Sequence, residues 1–200
     1  MAKPEVDHSK RRFLVAATAT AGVAGAVTVA VPFVSSMLPS ERAKAAGAPV
    51  EVDISNCETG VLKTAEWRGK VIWIVKRSKQ MLDDLPTLND KLSDPLLEVD
   101  QQPAYCKNAT RSIKPEVMVL IGLCTHLGCS PTAKFKTAGA EGMGEDWKGG
   151  FLCPCHGSKF DLAGRVFKGS PAPINLEVPP HKYLNDNMLL IGVGQDGKEA

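Results

Sequence analysis

The sequence predicts a mainly β domain carried behind one N-terminal transmembrane helix, with a loop subdomain inserted into the β framework. Three observations predict it. Residues Phe13 to Ser40 contain no charged side chain, a stretch longer than the roughly 20 residues that span a bilayer. From Val50 onward, apolar residues come in short β-branched runs punctuated by proline, glycine and polar turns. Two of these runs lead directly into short loops, Cys124-Thr125-His126-Leu127-Gly128-Cys129 and Cys153-Pro154-Cys155-His156-Gly157-Ser158, which hold four of the six cysteines and two of the four histidines.

Taken in order, residues 1–12 form a basic N-terminus with Lys10, Arg11 and Arg12, and residues 13–38 form the anchor. The excess of Lys and Arg before the span predicts that this end stays cytoplasmic and that everything after Ser40 lies on the far side. Ser9-Lys10-Arg11-Arg12-Phe13-Leu14 resembles a twin-arginine export signal, which delivers folded, cofactor-loaded proteins; aligned on Phe13-Leu14, the twin position reads Lys10-Arg11. The span is only moderately apolar, rich in Ala, Gly and Thr, which suits such a signal. Ala43-Lys44-Ala45 offers an alternative reading as a cleaved signal peptide, but the apolar stretch is long for that purpose. Residues 39–49 read as a tether, a short alanine-rich helix bounded by prolines and by Gly47.

Residues 50–200 read as the folded domain. Strands are expected at Val50 to Ile54, Lys70 to Val75, Val117 to Leu123, Gly150 to Leu152, Leu176 to Val178 and Met188 to Val193, with a turn at Asn185-Asp186-Asn187. Ser78 to Pro115 is polar and proline-punctuated, with a helix expected near Ser78 to Asp84. Lys134 to Gly149 reads as a surface excursion between the two loops, and the loop subdomain as roughly Gly122 to Ile174. Trp67, Trp73 and Trp147 are expected to pack in or beside the core. His8 and His181 are expected to be solvated. Cys57, among apolar neighbours, and Cys106 are expected to be unpaired, although an oxidising compartment would allow them a second disulfide.

Composition narrows the function. The chain has 200 residues, 44% hydrophobic and 23% charged, with a formal net charge of +2, enough for one domain of about 150 residues and an N-terminal segment. Near-neutral charge and the lack of a basic stripe interleaved with aromatics give no reason to expect nucleic-acid binding. No serine–histidine–aspartate set or phosphate loop stands out.

The paired loops carry the chemistry. Cys124-x-His126 and Cys153-x-x-His156 each place a thiolate and an imidazole too close in sequence to leave one tight loop. Two soft thiolates and two imidazoles suit a two-iron, two-sulfide centre of mixed ligation. Gly128 and Gly157 let the loops turn and let backbone N–H groups face buried sulfides. Cys129 and Cys155, one per loop, are left over and placed to tie the loops together. A structural zinc site is the competing reading, but zinc more often uses a C-x-x-C knuckle, and six candidates for four positions fit it poorly.

At these residues the chain resembles the Rieske iron–sulfur proteins, and among them the iron–sulfur subunits of bacterial ubiquinol–cytochrome c reductase, the cytochrome bc1 complex. The resemblance extends from the basic N-terminus to Gly169-Ser170-Pro171-Ala172-Pro173. It implies an antiparallel β-sandwich Rieske domain with an inserted cluster-binding subdomain, and an uncleaved single-pass anchor in the bacterial inner membrane with the C-terminal domain in the periplasm. It implies one [2Fe–2S] cluster, with Cys124 and Cys153 on one iron, His126 and His156 on the other, and a Cys129–Cys155 disulfide. Ser158 matches a serine that donates to a bridging sulfide. Phe160 departs from the pattern, because relatives commonly carry there a tyrosine donating to a ligand cysteine.

The implied function is to accept an electron from ubiquinol and pass it to cytochrome c1. His156 is expected to meet the quinol, with Leu127, Pro171, Ala172 and Pro173 shaping the surface presented to cytochrome b, and His126 as the other imidazole of the reaction. Two neutral imidazoles in place of thiolates remove negative charge from one iron and raise its potential. An oxidised iron makes the outer imidazole N–H groups more acidic, which couples electron gain to proton gain. Two separate contacts, with cytochrome b and with cytochrome c1, require movement about the tether. A dimeric complex is implied. A Rieske electron-transfer subunit of a periplasmic oxidase such as arsenite oxidase is the alternative, distinguished by a molybdenum partner instead of haem subunits.

Overall fold

The computed structural model describes residues 6–136, 143–144 and 146–198, apart from the side chains of residues 42 and 46. It divides into two units, one ending at Ala45 and one beginning at Ala46.

The first unit is dominated by α1, His8–Ser36. Asp7 caps it, its carboxylate accepting from the backbone N–H groups of Ser9 and Lys10 at 3.0 and 3.1 Å. At 29 residues the helix is about 43 Å long, more than the hydrocarbon core of a bilayer requires. Thr20 and Thr28 return their hydroxyls to the carbonyls of Ala16 and Ala24, so these polar groups are satisfied within the helix. Lys10, Arg11 and Arg12 lie inside the first turns, and His8, exposed as expected, is the first helical residue. The short helix α2, Glu41–Gly47, follows, with Lys44 paired to Glu41 at 2.8 Å.

Among its described residues the second unit holds nine strands in three antiparallel sheets. In chain order they are β1 (Val50–Asp53), β2 (Leu62–Trp67), β3 (Lys70–Lys76), β4 (Val117–Ile121), β5 (Thr132–Lys134), β6 (Gly150–Leu152), β7 (Lys159–Phe160), β8 (His181–Asn185) and β9 (Met188–Ile191). The sheets run β1-β9-β8, β2-β3-β4 and β5-β6-β7. Helix α3, Lys79–Asp84, follows β3 and is capped by the Ser78 hydroxyl.

The middle sheet explains why β3 and β4 read as unbroken apolar runs: both of its faces are covered. Paired residues Ile72 and Ile121, and Ile74 and Val119, face one core with Val52, Ile54, Trp67, Leu189 and Ile191. Paired residues Trp73 and Leu120, and Val75 and Met118, face a second core with Phe151, Phe160, Val166, Cys124 and Cys153. Each such fully buried side chain contributes about 1.5–3 kcal/mol. The second core carries the thiol-bearing loops, so the site is built onto the middle sheet.

Leu176 to Val178, expected as a strand, is irregular. Leu176 N donates to Gly164 O, Val178 N to Gln101 O, and Glu177 O accepts from Ile121 N, so its bonds go to three different segments instead of one ladder. Pro171, Pro173, Pro179 and Pro180 around it have no N–H to extend a ladder. His181, expected to be solvated, is 1% exposed, with Nδ1 2.8 Å from Pro179 O, and burial draws its pKa below the ordinary value. The mixed sequence of β2 conceals a strand because only one end of it, Trp67, is deeply buried. Trp67, Trp73 and Trp147 all pack inside. Cys57 and Cys106 are both free thiols, but Cys106 is the buried one, and burial pushes it up to about 12. The surface excursion expected at Lys134 to Gly149 falls partly outside the described residues; Trp147 Nε1 donates to Lys134 O at 2.8 Å across its base.

Candidate metal centre

The two cysteine–histidine loops share one backbone design. In the first, Cys124 N donates to Cys129 O at 2.7 Å and Gly128 N to Cys124 O at 2.9 Å; in the second, Cys153 N donates to Ser158 O at 2.8 Å and Gly157 N to Cys153 O at 2.9 Å. Gly128 and Gly157 close these turns at φ of 80° and 78°, a region where a side chain is strained. β4 delivers the first loop, while β6 and β7 frame the second.

A third segment locks the pair. Thr125 Oγ1 donates to Ile174 O at 2.6 Å, Ala172 N to Ser158 Oγ at 3.0 Å, and Lys159 N to Ser170 Oγ at 3.1 Å. Thr125 and Ser170 were not singled out from the sequence, because a hydroxyl that bonds a distant carbonyl or N–H leaves no local pattern. Ala172 is 3% exposed, so of the four residues expected on the contact surface Leu127, Pro171 and Pro173 present their side chains to solvent and Ala172 does not.

A disulfide joins Cys129 to Cys155, with Cα atoms 6.7 Å apart. Closing a loop of this length stabilises the fold by roughly 3 kcal/mol. The sulfurs of Cys129, Cys153 and Cys155 lie within 4.8 Å of one another. They are not a ligand triad, since two of them are bonded to each other and offer no thiolate.

The free thiols of the two loops are Cys124 and Cys153, 3% and 2% exposed. They lie within hydrogen-bonding reach of each other, and the buried Ser158 hydroxyl reaches Cys124 as well. Burial pushes the Cys124 thiol above its ordinary pKa; the Cys153 thiol adds to this, while the backbone N–H of His126 and the Ser158 hydroxyl oppose it. A metal binding here therefore displaces protons from sulfur. His126 and His156 meet edge to face with ring centroids 4.9 Å apart, His126 half-buried and His156 exposed. Two sulfurs inward and two imidazoles outward make a donor set that fits a [2Fe–2S] group of mixed ligation. Phe160 is fully buried in the same core as both thiols and brings no hydroxyl.

Residues 52–180 match a family described as "Rieske [2Fe-2S] domain", and residues 1–40 match "Ubiquitinol-cytochrome C reductase Fe-S subunit TAT signal". The chain is 59% identical over 192 residues to the "Ubiquinol-cytochrome c reductase iron-sulfur subunit" of Allochromatium vinosum, covering 96% of this chain and 92% of the relative. It is 40% identical over 188 residues to the protein of the same description from Blastochloris viridis, covering 94% and 95%. Among solved structures, a chain of "Hyperthermophilic respiratory Complex III" aligns with a TM-score of 0.48 at 28% identity, covering 88% of this chain and 99% of that one. The second unit thus has a family to go with its geometry: the chain belongs to the Rieske [2Fe–2S] proteins and, among them, to the iron–sulfur subunits of ubiquinol–cytochrome c reductase.

Proposed function

We propose that the chain works as the iron–sulfur subunit of a cytochrome bc1 complex, taking an electron and a proton from ubiquinol and passing the electron to cytochrome c1. The observation that carries this reading is the meeting of two buried free thiols and two outward imidazoles in disulfide-tied loops of a chain with these relatives. Cys124 and Cys153 would hold one iron, and His126 and His156 the other. When bound, the [2Fe–2S] group supplies a one-electron acceptor that two imidazoles make more oxidising than an all-cysteine centre.

The chain's own residues do the rest. His156, exposed at the tip of its loop, presents an imidazole to the quinol hydroxyl and takes up its proton. Leu127, 71% exposed, with Pro171 and Pro173 forms an apolar rim for docking on cytochrome b and keeps water from the contact. Helix α1 serves as the uncleaved anchor in the bacterial inner membrane; Lys10 to Arg12 stay cytoplasmic, and the folded unit is periplasmic. Residues 39–49 act as the tether about which that unit moves between cytochrome b and cytochrome c1 in a dimeric complex.

The test is purification of the native complex. Quinol-dependent cytochrome c reduction with b- and c-type haem subunits is expected, whereas a co-purifying molybdenum subunit would point to a periplasmic oxidase. Within that complex, prolines at Ala43 and Ala45 are expected to slow turnover and leave the electron paramagnetic resonance signal of the reduced cluster unchanged. Unaltered turnover would mean that no hinge is needed.

The hydrogen bonds to sulfur give a second expected result. A donor to sulfur disperses negative charge and favours the reduced state. Phe160→Tyr is therefore expected to raise the midpoint potential, and Ser158→Ala, which removes the hydroxyl reaching Cys124, to lower it. A redox titration in which Phe160→Tyr fails to rise, with the new hydroxyl in place on sulfur, would dispose of this account.

A further inference from the structure

Three arginines and one carboxylate are buried together beside the thiol-bearing core: Arg77, Arg111 and Arg165 are 3%, 0% and 2% exposed, and Asp161 is 0% exposed. Arg165 has its counter-ion. Its Nε donates to Asp161 Oδ2 at 2.7 Å, and its other nitrogens to Asn89 Oδ1 and Leu85 O.

Arg77 and Arg111 bond only to neutral acceptors among the described residues. Arg77 donates to Pro115 O, Thr110 O, Leu162 O and Ser112 Oγ. Arg111 donates to Ala163 O, Gly164 O, Leu176 O and Gln101 O, and through both Nε and Nη2 to Gln102 Oε1 at 3.1 and 3.0 Å. Asp161 is the one buried carboxylate beside these three buried cations; the other carboxylates that act on them, Glu116 on Arg77 and Asp94 on Arg111, are exposed and half-buried respectively, where water weakens them. Burial draws Arg77 and Arg111 down to about 10, with Asp161 acting the other way on both, Glu116 on Arg77 and Asp94 on Arg111, so both stay charged at neutral pH.

The turn that holds this charge abuts the core of the candidate centre. Leu162, Ala163 and Gly164, whose carbonyls hold the guanidiniums, belong to the turn that directly follows Phe160. A Cβ on Gly164 would fall 2.7 Å from Leu120 Cδ1 and 3.2 Å from Arg111 Nη1, so Leu120 and Arg111 both crowd one glycine. Leu120 packs in the same core as Cys124 and Cys153. Buried charges act through a medium of low dielectric and are little screened by salt.

We propose that the unbalanced positive charge of Arg77 and Arg111 is a permanent electrostatic field that favours the reduced cluster and holds its midpoint potential high. The inference rests on the reading that Cys124, His126, Cys153 and His156 hold that cluster. Both arginines then tune the redox step without touching it, in addition to tying the turn after Phe160.

Gln102→Glu tests the charge while keeping the shape. Glutamate retains both acceptor bonds from Arg111, adds one negative charge, and gives up only the bond from Nε2 to Val99 O. Redox titration monitored by the resonance of the reduced protein is expected to show a lowered midpoint potential that persists at 1 M salt. Lys107→Gln makes the same change of one charge at an exposed site and is expected to shift the potential less. Gln102→Leu removes the acceptor without adding charge, so it should lower the melting temperature and leave the potential near wild type. Ser112→Asp places a charge beside Arg77 and is expected to act as Gln102→Glu does. A Gln102→Glu potential no lower than that of Lys107→Gln, or an equal fall in Gln102→Leu, would overturn the proposal. The ligand reading fails separately, by survival of the wild-type signal in His156→Ala.

Discussion

His126→Ala and His156→Ala are each expected to abolish the electron paramagnetic resonance signal of the reduced protein. Each loop offers one imidazole, and the described site holds no thiolate in reserve, because Cys129 and Cys155 are consumed in their disulfide. Without one imidazole the site would lack a donor on its outer, exposed side, where His156 faces water, and would no longer hold the group. Alanine at either position should therefore yield protein that is folded but colourless. Retention of an unchanged signal in either variant would reassign that ligand, and a wild-type protein silent in both absorption and resonance would indicate zinc.

Gly150→Ala is expected to have the largest effect on folding. A Cβ at 150 would collide with the carbonyl oxygen of Phe160 and lie 3.0 Å from Asp161 Cα, at a φ of 150°. Both obstacles are backbone, so no rotamer change relieves them. The strand pair carrying Phe151 opposite Phe160 has to part, which opens the core that holds Cys124 and Cys153. A cost above about 3 kcal/mol is expected, equivalent to a fall of roughly 10 °C in melting temperature for a domain of this size. By contrast, Gly128→Ala and Gly157→Ala meet no atom within 4 Å and carry only the strain of positive φ, about 1–2 kcal/mol each. Thermal unfolding followed by circular dichroism separates these cases. Should Gly150→Ala melt within about 3 °C of wild type, the close approach of β6 to the carbonyl that ends β7 is not a constraint.

The chemistry of the centre was legible because its donors are local in sequence. A cysteine and a histidine two or three residues apart, followed by glycine, announce a ligand loop wherever the loop ends up. The anchor was legible for a similar reason: the lack of charge from Phe13 to Ser40 is a property of a contiguous stretch. Strands buried on both faces, such as β3 and β4, were also readable, since they require apolar residues at successive positions. Strands whose burial is uneven, such as β2 and β8, lacked that signature.

By itself, then, the sequence determined a membrane-length helix, a mainly β domain, a mixed cysteine–histidine donor set and membership of one redox family. Tertiary structure alone decided that Ala172 lies beneath the surface that its neighbouring prolines present, that His181 is buried against Pro179, and that Leu176 to Val178 serves three segments without being a strand. It also decided that Arg77, Arg111 and Arg165 are buried and that Asp161, buried too, pairs with Arg165. An arginine in a polar stretch reads as solvated, because burial of charge depends on carbonyls supplied from residues up to 85 positions away. Nothing in the neighbouring residues of a guanidinium specifies those distant acceptors; only the closed fold brings them within hydrogen-bonding distance.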